Sequence, residues 1–228
     1  MSPAGQAENH AALMDAVYRH QRFIYDFTRK YYLFGRDRLI DGLALAPGER
    51  VVEVGCGTAR NLIRMARRYP QAVLFGLDAS HEMLKTAGAA VRRAGLEGRI
   101  RLAHGYAESL SPALFGESLP FDRVVFSYAL SMIPDWNQSL RAAAAALSET
   151  GLVHVVDFGD LEGLGRLGRK ALLKWLRLFH VEPRSEILRR LEHSRRENGP
   201  EDKDLRIVPG RYAFLWRGGK TEVLRVLN

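Results

Sequence analysis

The chain has 228 residues, 46% of them apolar, enough to bury one sizeable core and too balanced for a disordered or membrane-embedded protein. Its single cysteine excludes a disulfide framework and fits a reducing compartment. A net charge of +8 asks for an anionic partner, with nucleic acid and an anionic membrane surface as the two classes to separate.

No charged-then-apolar leader opens the sequence and no apolar run reaches bilayer length, so neither a signal peptide nor a spanning helix is expected. Residues 1–12 are small and polar and read as disordered. Residues 13–43 carry a helical pattern broken at Gly35. Tyr18, Tyr25 and Tyr32 recur at one spacing, and Arg22, Arg29 and Arg36 recur at the same spacing, so the two sets interleave on one face. Phe23, Ile24, Phe27, Tyr31 and Phe34 take the opposite, core-seeking face. The polar face is either a solvated surface or a substrate wall. As a wall, tyrosine rings would hold an alkylated ammonium and arginines a carboxylate or phosphate, which suits a substrate bearing both an amine and an acid.

Pro47-Gly48 makes a turn into the most informative segment, Val51-Val52-Glu53-Val54-Gly55-Cys56-Gly57-Thr58. Apolar residues here predict a buried strand, the two glycines a sharp turn, and residues 58–69 a helix whose first N–H groups face that turn. The third glycine of a dinucleotide fingerprint is replaced by Arg60, and the Walker Gly-Lys-Ser/Thr is absent. Glu53 before the turn would repel a phosphate and suits a cationic ligand. S-adenosylmethionine fits, with its ammonium, sulfonium and ribose hydroxyls. Cys56 is read as a small residue packed in the turn rather than a nucleophile.

A strand over 73–78 ends in Asp78, 25 residues after Glu53, near the offset of a ribose-binding acid. Ser80 caps a helix over 80–94, and Ala79 and Met83 are candidates for the adenine wall. A third strand (99–104), a loop with Ser111-Pro112, a strand over 122–128, a helix over 136–148 and a strand over 151–157 continue an alternation that argues for a parallel sheet covered on both faces. Residues 161–197 read as mostly helical, and 205–216 as a hairpin with Pro209-Gly210 at its tip.

Three ordered motifs resemble the class I S-adenosylmethionine-dependent methyltransferases: Glu53-Val-Gly-Cys-Gly-Thr, Leu77-Asp78-Ala-Ser, and Phe121-Asp-Arg-Val-Val-Phe-Ser-Tyr128. The resemblance covers roughly residues 38–160. It implies one α/β domain over 1–228: a Rossmann-like, doubly wound seven-stranded sheet with an antiparallel C-terminal hairpin. The expected divisions are a helical substrate cap (1–43), a cofactor-binding core (44–160), a helical insertion after strand five (161–200) and the hairpin (201–228). It implies S-adenosylmethionine held by Glu53, Gly55, Gly57, Asp78, Ala79, Met83, Tyr106, Ala107 and Ser127. Tyr106 stands where many relatives carry an acid that meets the adenine amino group, so that contact is expected from the backbone at 106–107. The motif of base-amine methyltransferases is missing after strand four. Asp157 and Asp160 complete no carboxylate cluster, so no metal is expected.

Residues 164–179 form a second amphipathic stretch. Leu164, Leu167, Leu172, Trp175, Leu176, Leu178 and Phe179 lie on one half, with Arg166, Arg169, Lys170, Lys174 and Arg177 on the other. Such a helix either lies in a membrane interface or packs as a lid. The segment from Tyr25 to Ile40, the glycine motif and Phe179-His180-Val-Glu-Pro-Arg184 together resemble the bacterial diacylglyceryl-homoserine N-methyltransferases of betaine-lipid synthesis. That resemblance implies a headgroup amine methylated three times, with Tyr18, Tyr25, Tyr32, Arg29 and Arg36 on the substrate. Tyr128, His180, a tyrosine of the N-terminal face or water is then a candidate proton acceptor. A cytoplasmic enzyme held peripherally at an anionic membrane, with no nucleic acid partner, is the expectation. The alternatives are a methyltransferase for a soluble amine or quinone, and a nucleic-acid-binding protein that uses the cofactor as an effector.

Overall fold

A computed structural model of the chain describes residues 33–177, 181–198 and 204–227. A short helix α1 (Arg36–Asp41) leads into alternating strands and helices: β1 (Arg50–Val54), α2 (Arg60–Arg68), β2 (Val73–Asp78), α3 (His81–Arg93), β3 (Ile100–His104), β4 (Phe121–Ser127), α4 (Trp136–Ala146) and β5 (Leu147–Phe158). Two helices, α5 (Gly165–Arg177) and α6 (Ser185–Asn198), separate β5 from β6 (Leu205–Ile207), β7 (Ala213–Gly218) and a final helix α7 (Lys220–Leu227). The seven strands form one sheet in the order β3-β2-β1-β4-β5-β7-β6.

Strand alternation divides the core in two. Val52, Val54, Phe75, Leu77, Val124 and Phe126 point to the face covered by α4, α6 and α7. Val51, Leu74, Val125 and Val156 point to the face covered by α1, α2 and α3. Strands buried on both sides read as continuous apolar runs, and these do. β1 pairs in parallel with both β2 and β4, so the strand order reverses there. A crevice at that reversal, outside the carboxyl ends of the strands, is where an open α/β sheet binds its ligand.

The expected sheet and the hairpin with Pro209-Gly210 in its turn are present. β7 pairs antiparallel with both β5 and β6, so β7 alone opposes the other six strands. β5 is longer than expected, since it starts at Leu147 where a helix ending at 148 was predicted. A register shift between Phe121 and Arg123 absorbs the extra length against β4. The helical region after β5 divides into α5 and α6, and α7 had no forecast. Gly35, at φ 91°, is the left-handed residue before α1, and the helical pattern predicted over 13–32 lies outside the described residues.

Candidate active site

The turn after β1 is built on backbone that few residues tolerate. Gly55, Gly57 and Ala59 all have positive φ, at 70°, 54° and 61°. Gly55 and Cys56 both donate to the Leu77 carbonyl, at 2.8 and 3.0 Å, which folds the turn over the end of β2. A Cβ on Gly55 would lie 2.9 Å from the Cβ of Ala129, inside the closest approach real side chains show. No side chain caps the start of α2, so its first N–H groups remain available at the turn.

The two predicted acids flank this turn. Asp78 accepts from the Gly57 N–H at 2.7 Å through one oxygen and from the Ser80 N–H at 2.9 Å through the other. Glu53 is buried and accepts from Nδ2 of Asn61 at 2.7 Å. Asn61 was absent from the sequence reading. Its signal is an uncompensated amide in the first turn of a helix that otherwise buries leucine and methionine. Cys56 lies buried between these acids. Burial first, then the Asp78 and Glu53 charges, push its thiol well above the ordinary range, which matches the packed reading and not a nucleophile.

Glu53, Gly55, Gly57, Ser127 and Arg36 line one cavity of about 830 Å³. The Ser127 hydroxyl is buried and, among the described residues, has no hydrogen-bond partner, so it is available to a polar ligand. The other expected cofactor residues sit to the side, around Asp78. Ala79 and Tyr106 are half-buried, while Met83 and Ala107 are buried. The Met83 N–H is held by the Ser80 hydroxyl at 3.2 Å, which makes Ser80 the expected cap of α3. Near Tyr106 lies a feature the sequence did not suggest. The His81 and His104 rings stack at 3.7 Å, with Nε2 of His104 3.0 Å from the Ala79 carbonyl oxygen.

Tyr128 is 1% exposed and holds φ 56°, a strained value for a large residue. Its hydroxyl donates to the Phe34 carbonyl at 2.6 Å and its ring meets Phe158 edge-on at 4.7 Å. A phenol spending its proton on a carbonyl is an anchor between the N-terminal segment and the post-β4 turn. Positioning, not proton abstraction, is the role this geometry favours. His180, Tyr18, Tyr25, Tyr32, Arg22 and Arg29 lie outside the described residues. Asp157 is fully buried at the end of β5 and accepts from the Ser131 and Phe158 N–H groups at 3.0 and 2.7 Å, which fixes the same turn from below. Among the described residues, no group of three or more His, Cys, Asp or Glu is placed to hold a metal.

The groups present fit S-adenosylmethionine: two carboxylates beside a glycine turn, a buried serine hydroxyl, and a backbone approach that a Cβ would obstruct. Comparison with known proteins agrees. Residues 51–151 match the methyltransferase domain family. The chain is 41% identical over 81 residues to trans-aconitate 2-methyltransferase of Pseudomonas paraeruginosa, covering 36% of this chain and 29% of that protein. It is 31% identical over 129 residues to demethylmenaquinone methyltransferase of Geobacillus kaustophilus, covering 56% and 52%. The chain thus spans about half or less of the length of these curated relatives. Among solved structures, the S-adenosylmethionine-dependent methyltransferase SibL superposes with TM-score 0.61 at 24% identity, covering 92% of this chain and 61% of that one. A methyltransferase from Aquifex aeolicus superposes with TM-score 0.57 at 16% identity, covering 83% and 91%. At these identities the superpositions establish the fold.

Proposed function

We propose, from the premise that residues 51–151 are a methyltransferase domain, that this chain transfers the methyl group of S-adenosylmethionine to the amine of a small or lipid-borne acceptor that also carries an acid. One observation carries the reading. A single cavity is lined by the donor side, Glu53 with the glycine turn, by cationic side chains, Arg36 and Arg60, and by Ser127. When bound, the donor supplies an electrophilic methyl on a sulfonium. The protein's part is to hold the acceptor in line, exclude water and keep the acceptor nitrogen unprotonated. Arg36, 9% exposed, is suited to an acceptor carboxylate, because a guanidinium held away from water binds an acid more tightly.

The finer form of the proposal is N-methylation of the diacylglyceryl-homoserine headgroup, at an anionic membrane surface. It is supported by an apolar rim on the side of the molecule that carries Phe34. Phe34 is 57% exposed and edge-on to Tyr212, while Leu164 and Leu167 are 36% and 86% exposed. Gly210, two residues before Tyr212, lies against Leu164. Arg166 and Lys170 are exposed on the same helix. No described helix is long and apolar enough to cross a membrane, so attachment here would be peripheral. The second reading, a soluble acid or quinone acceptor, draws on the names of the trans-aconitate and demethylmenaquinone relatives. Incubation with methyl-labelled donor and a cell lipid extract separates the two. Label in a trimethylated lipid is expected. Label confined to water-soluble acids or to quinones supports the second reading and rejects the first.

A further inference from the structure

The cavity does not stop at the glycine turn. It continues between α2 and α3, where Arg64 and Arg67 of one helix face Arg93 of the other across a floor that includes Ile63 and Ala90. The cationic surplus is large. Arg60 and Arg64 share one carboxylate, Asp37, at 3.8 and 3.0 Å. Among the described residues, Arg67 and Arg93 have no hydrogen-bonding or ionic partner at all. Two guanidiniums that line one cavity from two helices, with no carboxylate partner among the described residues, make its potential positive and favour an anion there. The spacing of Arg60, Arg64 and Arg67 places all three along one face of α2. At ~1.5 Å rise per residue the row extends about 10 Å from the turn where the donor would sit.

The geometry points to a second anion site in this groove: Arg64, Arg67 and Arg93 receive a phosphate or carboxylate up to about 10 Å along α2 from the glycine turn. The apolar floor suits a methylene or acyl spacer between the two ends. This deepens the methyltransferase reading and rests on it for the meaning of the site, though anion binding itself stands apart from catalysis. The acid is either part of a soluble acceptor or belongs to a lipid headgroup.

The test uses the full chain, citrate as the soluble probe and vesicles of phosphatidylglycerol as the lipid probe. Arg67→Gln combined with Arg93→Gln is compared with Arg189→Gln combined with Arg196→Gln, an equal charge change on exposed residues of α6. We expect the groove variant to lose about tenfold or more in affinity for one probe, while the α6 variant matches wild type. Loss toward citrate identifies a soluble acid, and loss toward vesicles a lipid headgroup. Undiminished affinity for both probes in the groove variant, equal losses in the two variants, or no citrate and no vesicle binding by wild type overturns the site. Donor binding is measured on the same samples by calorimetry. Wild type that binds citrate in the groove but no S-adenosylmethionine would reject the methyltransferase reading and leave the groove assignment intact.

Discussion

Asp78 performs two tasks with one carboxylate. It accepts the Gly57 and Ser80 N–H groups, and so shapes the turn, and it is the acid expected at the ribose hydroxyls. Replacing it with alanine should abolish binding of S-adenosylmethionine in calorimetry. Asp78→Asn keeps one acceptor oxygen and should bind weakly with the fold unchanged by circular dichroism. Normal affinity in the alanine variant would remove this residue from the site. A second pair of residues makes a pH prediction. His154, buried in β5 with Arg123 and Arg217 nearby, has its pKa pushed down to about 3, first by burial and then by those charges. Asp157 on the same strand has its carboxyl pushed up to about 6 by burial, against the hydrogen bonds it accepts. The histidine contributes stability that is full above its unfolded value near 6.5 and lost as pH falls toward 3. The aspartic acid does the reverse: its contribution is full below about 3.8 and lost as pH rises through about 6. Between pH 6 and 4 the two slopes, each up to ~1.4 kcal/mol per pH unit, oppose one another. Calorimetric melting between pH 4 and 8 should therefore show a steeper acid-side loss in Asp157→Asn than in wild type. In His154→Leu the melting temperature should rise as pH falls from 7 to 5. Identical profiles in all three proteins would reject the assignment.

At the level of elements, the post-β4 turn is held from both ends. The Tyr128 hydroxyl ties it to Phe34, its N–H reaches the Val156 carbonyl at 2.7 Å, and Asp157 accepts from Ser131. Tyr128→Phe removes one hydrogen bond and keeps the ring packing on Phe158. It should cost about 1 kcal/mol in denaturant unfolding. If Tyr128 positions rather than abstracts, methyl transfer should fall through KM with kcat retained within a few-fold. A loss of kcat by about a hundredfold or more at constant KM would restore it as the base. Most strands were legible because they are apolar runs bounded by Gly, Pro or an acid, and because the motifs fall at strand ends. The starts of α2 and β5 were harder. Ala59 adopts left-handed backbone with no cap residue to announce it, and Leu147 enters a strand directly from a helix with no breaker between them. Helix α7 was missed because its eight residues give barely two turns of periodicity. In the site, residues defined by spacing (Glu53, Gly55, Gly57 and Asp78) were readable. Asn61, the His81–His104 stack and the unpaired Arg67 and Arg93 were not, since each depends on what another element brings opposite it.

For the whole molecule, charge and apolar exposure are unevenly spread. Helix α5 buries Leu176 and half-buries Leu172, Leu173 and Trp175, yet leaves Leu167 86% exposed. The sequence left membrane contact and core packing as alternatives for this helix; its later turns pack on the core and its first turns are open. If the open end meets a membrane, Leu167→Asp should reduce sedimentation with phosphatidylglycerol vesicles several-fold. Melting temperature and donor affinity should stay unchanged, since the side chain touches little of the core. Sedimentation equal to wild type would assign the exposed leucine no part in attachment.

The place of β7 bears on how the polypeptide matures. Residues 205–207 leave the ribosome before residues 213–218, yet they hold the rim of the sheet and hydrogen-bond to no strand but that later one. A nascent chain halted between them would present the flank of β5 bare, with Val153, Val155 and Phe158 lacking the backbone partners that Gly218, Trp216 and Ala213 provide. The sheet is thus closed by a segment translated after every other strand it contains. Until it arrives, an open strand flank is exposed to pairing with other chains, the state in which a trigger-type chaperone or dilution would matter most.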